Sequence, residues 1–180
     1  MEAYLPNFCY NDKTDIKING VTVHFVSAIN VDPKHAFDLS AIRNMLLDLN
    51  RQKNDREFYP FCAGASRVYA SYHSIIGRDG EELILVPQTK KAFHAGSSSW
   101  KGYPNCNMWM DGTGLAGTLT SGFTDKQYHR LALKCKALQN AYGFPVENIV
   151  GHEEIAPSRK VDPGIATGNF DIDRDWETRS

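Results

Sequence analysis

The chain has 180 residues, of which 42% are apolar and 23% charged, so it holds one domain's worth of sequence and is too hydrophobic for a disordered chain. Twenty Lys and Arg against 21 Asp and Glu leave a net charge of −1, which argues against a nucleic-acid partner held by bulk electrostatics. No apolar run approaches the ~18 residues of a membrane span, and the opening MEAYLPNFCYNDK lacks the basic start and apolar stretch of a secretory signal, so a cytoplasmic monomer is expected.

Residues 1–19 form a polar lead-in. VTVHFVS (21–27) is β-branched and alternating, which predicts a strand with Val21, Val23 and Phe25 on one face and Thr22, His24 and Val26 on the other. Asp38 is placed to cap a helix carrying Leu39, Ile42, Met45, Leu46 and Leu49 at helical spacing. Residues 51–66 look like irregular surface chain. RVYASYHSII (67–76) predicts a second strand, joined through the turn GRDG to EELILVP (81–87) as a hairpin. GTGLAGT (112–118) is a weak strand whose glycines point to close backbone packing. Thr124 and Gln127 make a capping box that opens a helix to about Tyr142, closed by Gly143 and Pro145. ENIVGH (147–152) is a short strand before the loop EEIAPSRKVDPG, and the stretch from Ile165 to Ser180 reads as a polar, peripheral tail. Strands and helices alternate. The expected fold is therefore α/β, a single domain over residues 1–180 with a mixed central sheet flanked by helices and a core over about 20–164. Cys9, Cys62, Cys106 and Cys135 are scattered without a CxxC pair and read as reduced, buried thiols.

His35 and His129 lie on polar stretches and read as surface residues. His24, His73, His94 and His152 lie in strands or at their exits, where α/β proteins gather their sites. His24 and His152 on one sheet face, joined by Asp162 from a loop ten residues after His152, would supply two imidazoles and one carboxylate. That is a donor set for catalytic zinc, at ~2.0–2.2 Å with a fourth position open. The spacing is not a compact motif, so a group of satisfied, partly buried polar side chains is the competing reading. His94 and His73 are candidates for substrate contact. Trp100, with Tyr103 and Trp109 in the same polar loop, suits stacking on a sugar face or anchoring of the loop. Glu153 and Glu154 adjoin His152 as supporting or solvated groups, and Asp111 beside a Gly-rich strand has no evident role.

GHEEIAPSRKVDPG (151–164) closely resembles the GH-x-D-I-A-P-x-R-K-x-D-P-G segment of zinc-dependent N-acetylmuramoyl-L-alanine amidases. That family includes the phage amidase lysozymes, the peptidoglycan recognition proteins and the muropeptide-recycling amidases. The other blocks follow in the family's order. VTVHFVS is similar to a first strand ending in a zinc-binding His, YHSIIGRDGEELILVP to the YH-x-I-x-RDG hairpin, and AFHAG (92–96) to A-W-H-A-G. CNMWMDGTGLAGT with FTDKQY resembles C-N-x-x-S-I-G-I-x-L-x-G-T and Y-T-x-x-Q-Y.

The resemblance implies an amidase and peptidoglycan-recognition-protein-like fold, Zn²⁺ held by His24, His152 and Asp162, and Lys160 facing the substrate carbonyl. It implies hydrolysis of the amide between N-acetylmuramic acid and L-alanine of peptidoglycan. The recycling amidases keep a glutamate where this chain has Gly114, and the phage lysozymes instead use a tyrosine immediately before the hairpin His, which here is Tyr72. Tyr72 and Lys160 are thus the expected catalytic residues, and the expected setting is a bacteriolytic phage endolysin. A cytosolic amidase recycling anhydro-muropeptides is the alternative that the long stretch between His24 and His73 favours. A non-catalytic peptidoglycan-binding module is a further alternative, opposed by the presence of all three ligands.

Overall fold

The structure, a computed structural model, describes residues 1–59 and 67–173. In chain order its strands and helices are β1 (Tyr10–Asp12), β2 (Val21–Val26), α1 (Leu39–Asn50), β3 (Ser74–Ile76), β4 (Glu82–Ile84), β5 (Lys90–Ala92), β6 (Ser99–Trp100), β7 (Tyr103–Pro104), β8 (Asp111–Ala116), α2 (Asp125–Tyr142), β9 (Ile149–Gly151) and α3 (His152–Ile155). The central sheet is five-stranded in the order β4-β3-β8-β2-β9. Its pairings are parallel except for the antiparallel β3–β4 hairpin, so the sheet is mixed, as expected.

Side-chain alternation divides the core into two layers. Val26, Ile75 and Ala116 pack with Ile42, Met45 and Leu46 of α1. Val21, Val23, Ile76 and Leu115 pack with Leu131, Cys135 and Leu138 of α2. The capping box forms as expected: Gln127 N–H donates to Thr124 Oγ1 at 3.2 Å, and the Gln127 side chain accepts from Thr124 N–H at 3.0 Å. Asp38 stands at the N-cap of α1, but its side chain caps nothing; only its carbonyl takes part, accepting from Ile42 N–H.

The Gly-rich segment is a strand with close packing, as expected; it is the middle strand of the sheet, and β8 is buried at every position. Four sequence expectations are corrected. Of residues 67–76 only 74–76 form strand, because the amides of Val68 and Ser71 go to Leu49 and Phe93 rather than to one neighbour. His152 begins a short helix instead of ending the strand. The lead-in is not merely polar: Ala3 and Leu5 donate to the carbonyls of Ile84 and Leu85, Leu5 and Cys9 are buried, and β1 pairs with β5. The tail through residue 173 also belongs to the fold. Phe170 is buried and stacks on Tyr128 with centroids 5.2 Å apart. Cys9, Cys106 and Cys135 are buried and unbridged, whereas Cys62, the rest of residues 60–66 and residues 174–180 lie outside the described residues. No described helix is long and apolar enough to cross a membrane.

The structure explains Asp111. On the α2 side of the sheet its fully buried carboxylate accepts from Lys134 Nζ at 2.9 Å, Thr113 Oγ1 at 2.7 Å and Gln88 Nε2 at 3.0 Å. Burial alone pushes the Asp111 carboxyl up, but the Lys134 ammonium and the hydrogen bonds outweigh it and hold it below the usual range. A carboxyl depressed on folding stabilises the fold above about pH 4 and loses that contribution as the pH falls toward its folded value. Asp111→Asn is expected to cost about 3 kcal/mol, the low end for breaking a buried pair, because Glu82 remains 3.5 Å from the ammonium. Denaturant unfolding checks this, and a loss below about 1 kcal/mol would mean that Glu82 suffices as counter-ion.

Candidate metal centre and hydrolytic cleft

His24 sits on the middle of β2, on the face shared with α1. It is opposite Gly114 of β8 in the parallel register. His152 opens α3 directly after β9, the other neighbour of β2. Asp162 reaches the pair from a loop fastened to α3: Glu153 N–H donates to Asp162 O, and the Glu153 carboxylate accepts from the amides of Gly164 and Ile165. Glu153 is therefore a loop fastener, which agrees with a supporting role.

Three ligand atoms converge. His24 Nδ1 lies 3.0 Å from His152 Nδ1 and 2.9 Å from Asp162 Oδ2, and His152 Nδ1 lies 3.1 Å from the same oxygen. The hydrogen-bond partners assign the protons. His152 Nε2 faces the Ala95 carbonyl at 3.2 Å and must donate, which leaves its Nδ1 bare. His94 Nε2 likewise faces the Met110 carbonyl at 3.2 Å, so His94 Nδ1 is the bare nitrogen. His24 Nε2 meets that nitrogen at 3.1 Å and must donate to it, leaving His24 Nδ1 bare. Burial pushes His24 down to about 4, in keeping with a neutral ring. Two bare imidazole nitrogens and a carboxylate oxygen thus meet with no proton between them. Three electron-pair donors at this spacing call for a cation, and tetrahedral bonds of ~2.0–2.2 Å would set them roughly 3.3–3.6 Å apart. The residues fit a zinc ion.

Beside the trio opens a cleft of about 320 Å³. Lys160 and Tyr72 line it with His152 and Asp162, so the structure brings the expected catalytic and ligand residues together. Tyr72 stands edge-on to His24 with centroids 5.1 Å apart. Its ring carbon Cγ lies 3.6 Å from where a Cβ on Gly114 would sit. Such a Cβ would meet Val26 Cγ1 at 2.9 Å and Ile75 Cγ2 at 3.2 Å first, with the tyrosine at ordinary contact distance. Burial and the Asp162 carboxylate push the Tyr72 phenol up, so it stays an O–H donor.

Of the three expected substrate contacts, His94 borders the cleft and His73 and Trp100 lie away from it. His73 is buried on the α2 side, accepting from Gly112 N–H at 2.9 Å and donating to Lys90 O at 3.0 Å, so neither nitrogen is left for a substrate. Burial pushes it down to about 4. His94 borders the cleft, with both its nitrogens engaged by His24 and Met110. Gly112 makes this possible, since a Cβ there would lie 2.3 Å from His94 Cγ. Trp100 lines a separate cavity. His35 is exposed beside Asp32 and His129 is exposed, as expected.

Sequence reasoning passed over Tyr69 and Phe93, an edge-on aromatic pair on the cleft wall, and Arg159. Arg159 Nη2 donates to the carbonyls of Ala95 and Ser97 at 2.7 and 2.6 Å, holding the loop whose Ala95 oxygen also orients His152. Arg159 stands beside Lys160 in the 151–164 block and Phe93 beside His94 in AFHAG, so adjacency was the available signal.

His94→Phe keeps a ring but removes the acceptor for His24 Nε2–H. Zinc affinity is expected to fall about 10–100-fold, the usual cost of losing a partner that orients a ligand. Competition with a chromophoric chelator measures it; unchanged affinity would reduce His94 to packing.

Residues 14–165 match the family described as N-acetylmuramoyl-L-alanine amidase. The 1,6-anhydro-N-acetylmuramyl-L-alanine amidase AmpD of Escherichia coli (strain K12) is 43% identical over 112 residues, 62% of this chain and 61% of AmpD. The chain thus spans about three fifths of that curated relative's length. Among solved structures, a selenomethionine AmpD derivative superposes with a TM-score of 0.76 at 34% identity, over 94% of this chain and 88% of that one. A mutant endolysin from Bacillus subtilis superposes with a TM-score of 0.56 at 17% identity, over 88% and 86%, and shares the fold. The expectation that the chain stands nearest the phage lysozymes is corrected: its similarity to AmpD is far greater than to this endolysin.

Proposed function

Because the chain belongs to the N-acetylmuramoyl-L-alanine amidase family, we propose that it hydrolyses the amide joining the lactyl group of N-acetylmuramic acid to L-alanine, acting on soluble anhydro-muropeptides. The observation that carries this reading is the convergence of His24, His152 and Asp162 in one cleft with Lys160. The AmpD similarities support the soluble 1,6-anhydro substrate over intact wall.

His24, His152 and Asp162 would hold zinc, which when bound acidifies a water and polarises a carbonyl. His94 and the Ala95 carbonyl keep both imidazoles in the ligating tautomer. The Lys160 ammonium donates to the scissile carbonyl oxygen as negative charge builds there. The Tyr72 hydroxyl orients the attacking water or donates to the same oxygen. The amide carbon gains the water's oxygen as carboxylate, and L-alanine leaves as the amine.

Tyr72 with Gly114 is the pattern of the phage lysozymes, so this chain combines a lysozyme-like hydroxyl with an AmpD-like frame. Tyr72→Phe keeps the ring against His24 and is expected to lower turnover roughly 10–10³-fold with zinc retained; a native rate would remove the hydroxyl from the mechanism. A glutamate grafted at 114 is not a clean reciprocal test, since its Cβ would lie 2.9 Å from Val26 Cγ1.

The decisive experiment is elemental analysis of the purified chain with amide hydrolysis measured before and after chelation, on an anhydro-muramyl tripeptide and on intact sacculi. Zinc-dependent release of peptide from the soluble fragment is expected. Release from sacculi alone would favour the lytic reading, and absence of both would leave a binding module.

A further inference from the structure

A second cavity, of about 400 Å³, lies beside the β6–β7 hairpin and shares no lining residue with the cleft that holds Lys160. Trp100, Tyr103 and Trp109 wall it. Trp100 donates its indole N–H to Asn148 Oδ1 at 3.2 Å, and Trp109 donates its own to the Pro104 carbonyl at 3.1 Å. Their polar edges are spent within the protein, which fixes both rings, and Lys101 Nζ lies over the Trp100 face, 5.7 Å from its centroid. Both indoles are also packed against the small core that contains Ile155 of α3. Tyr103 stands edge-on to Trp109 and is 70% exposed.

The hairpin that presents these rings holds non-glycine backbone in the left-handed region, at Lys101 (φ 49°) and Asn105 (φ 59°). Such conformations cost of order 1–3 kcal/mol each and persist where the surroundings enforce them. The charge is one-sided. Lys17 and Lys101 line the cavity, and no carboxylate does among the described residues. Asn148, itself 7% exposed, forms part of the wall and accepts from Lys101 Nζ at 3.5 Å. Rigid aromatic faces, a few amides and two ammonium groups match a ligand with an apolar ring face and a negative charge.

We propose that this cavity is a second, non-hydrolytic site for a carboxylated amino sugar, the 1,6-anhydro-N-acetylmuramic acid that amide hydrolysis releases; the identification of the sugar rests on the amidase reading above. In the uncut substrate the lactyl carboxyl is tied up as an uncharged amide. Hydrolysis adds water across that C–N bond, giving a lactyl carboxylate on the sugar and an ammonium on the released alanine. The sugar half acquires the charge that Lys17 and Lys101 complement, and its pyranose ring offers C–H faces to Trp109 and Tyr103. The site therefore distinguishes product from substrate by charge.

The test uses the zinc-loaded full chain, ¹⁵N-labelled, with the Trp100 and Trp109 indole signals assigned through Trp100→Phe and Trp109→Phe. 1,6-Anhydro-N-acetylmuramic acid is titrated against 1,6-anhydro-N-acetylglucosamine, which has the same ring without the lactyl carboxylate. Saturable shifts of both indole signals are expected, with the carboxylate-free sugar binding at least tenfold more weakly. Lys17→Glu combined with Lys101→Glu, two exposed substitutions, is expected to weaken 1,6-anhydro-N-acetylmuramic acid at least tenfold. Shifts confined to the Lys160 cleft, equal affinity for the two sugars, or indifference to the charge reversal would each overturn the proposal. Peptide release from a muramyl peptide is followed on the same sample. Release without indole shifts sinks the second site and keeps the amidase reading; indole shifts without release sink the amidase reading and leave a site for carboxylated sugars.

Discussion

His24→Ala, His152→Ala and Asp162→Ala each abolish turnover and strip zinc from the protein; that is the largest effect the structure leads us to expect. The chain offers three ligand atoms within 3.1 Å of one another and no fourth His, Cys, Asp or Glu among the described residues of that cluster. Losing one leaves two contacts, and binding energy contributed by the metal is lost with it. The second consequence is local: each remaining group keeps a bare nitrogen or a carboxylate oxygen in a nearly closed site. Metal content by elemental analysis and turnover are read on the same preparation. Thermal unfolding with excess chelator separates loss of metal from loss of fold. Full occupancy in one variant would remove that residue from the ligand set.

Lys160→Ala is expected to retain zinc and lose roughly 10²-fold or more in kcat, because a donor aimed at developing charge acts in the transition state more than in the bound substrate. The side chain enters the cleft beside Asp162, two residues along the chain, and is half-buried there. Its amide donates to Ala156 O, which fixes the loop around it. The diagnostic is the split between constants: kcat falls while KM stays near its native value. A rise in KM with native kcat would recast Lys160 as a substrate anchor.

The ligand trio was legible because two strand histidines and a loop carboxylate lie in blocks that resemble a known family, and the capping box of α2 because its signal spans four adjacent residues. What distinguishes His24 from His73 and His94 was not legible. All three look alike as histidines in or near strands, and only the partner of each nitrogen separates a ligand from its orienting neighbour and from a backbone brace. Gly112 and Gly114 made β8 look weak, since glycine counts against a strand. In the folded chain those positions must be empty, because His94 occupies the space above Gly112 and Val26 and Ile75 crowd that above Gly114. Asp111 finds Lys134 on another element, a pairing that no local pattern announces.

The sheet order also sets a timetable. β2 lies between β8 and β9, so the strand bearing His24 is completed by neighbours made at the other end of the chain. The last ligand, Asp162, comes 138 residues after the first. During synthesis the early strand has no parallel partner until residues 111–116 and 149–151 have left the ribosome, and contacts of such long separation form slowly. A nascent chain therefore cannot bring His24, His152 and Asp162 together before residue 162 has been made. The donor set is thus completed late in folding rather than guiding its start.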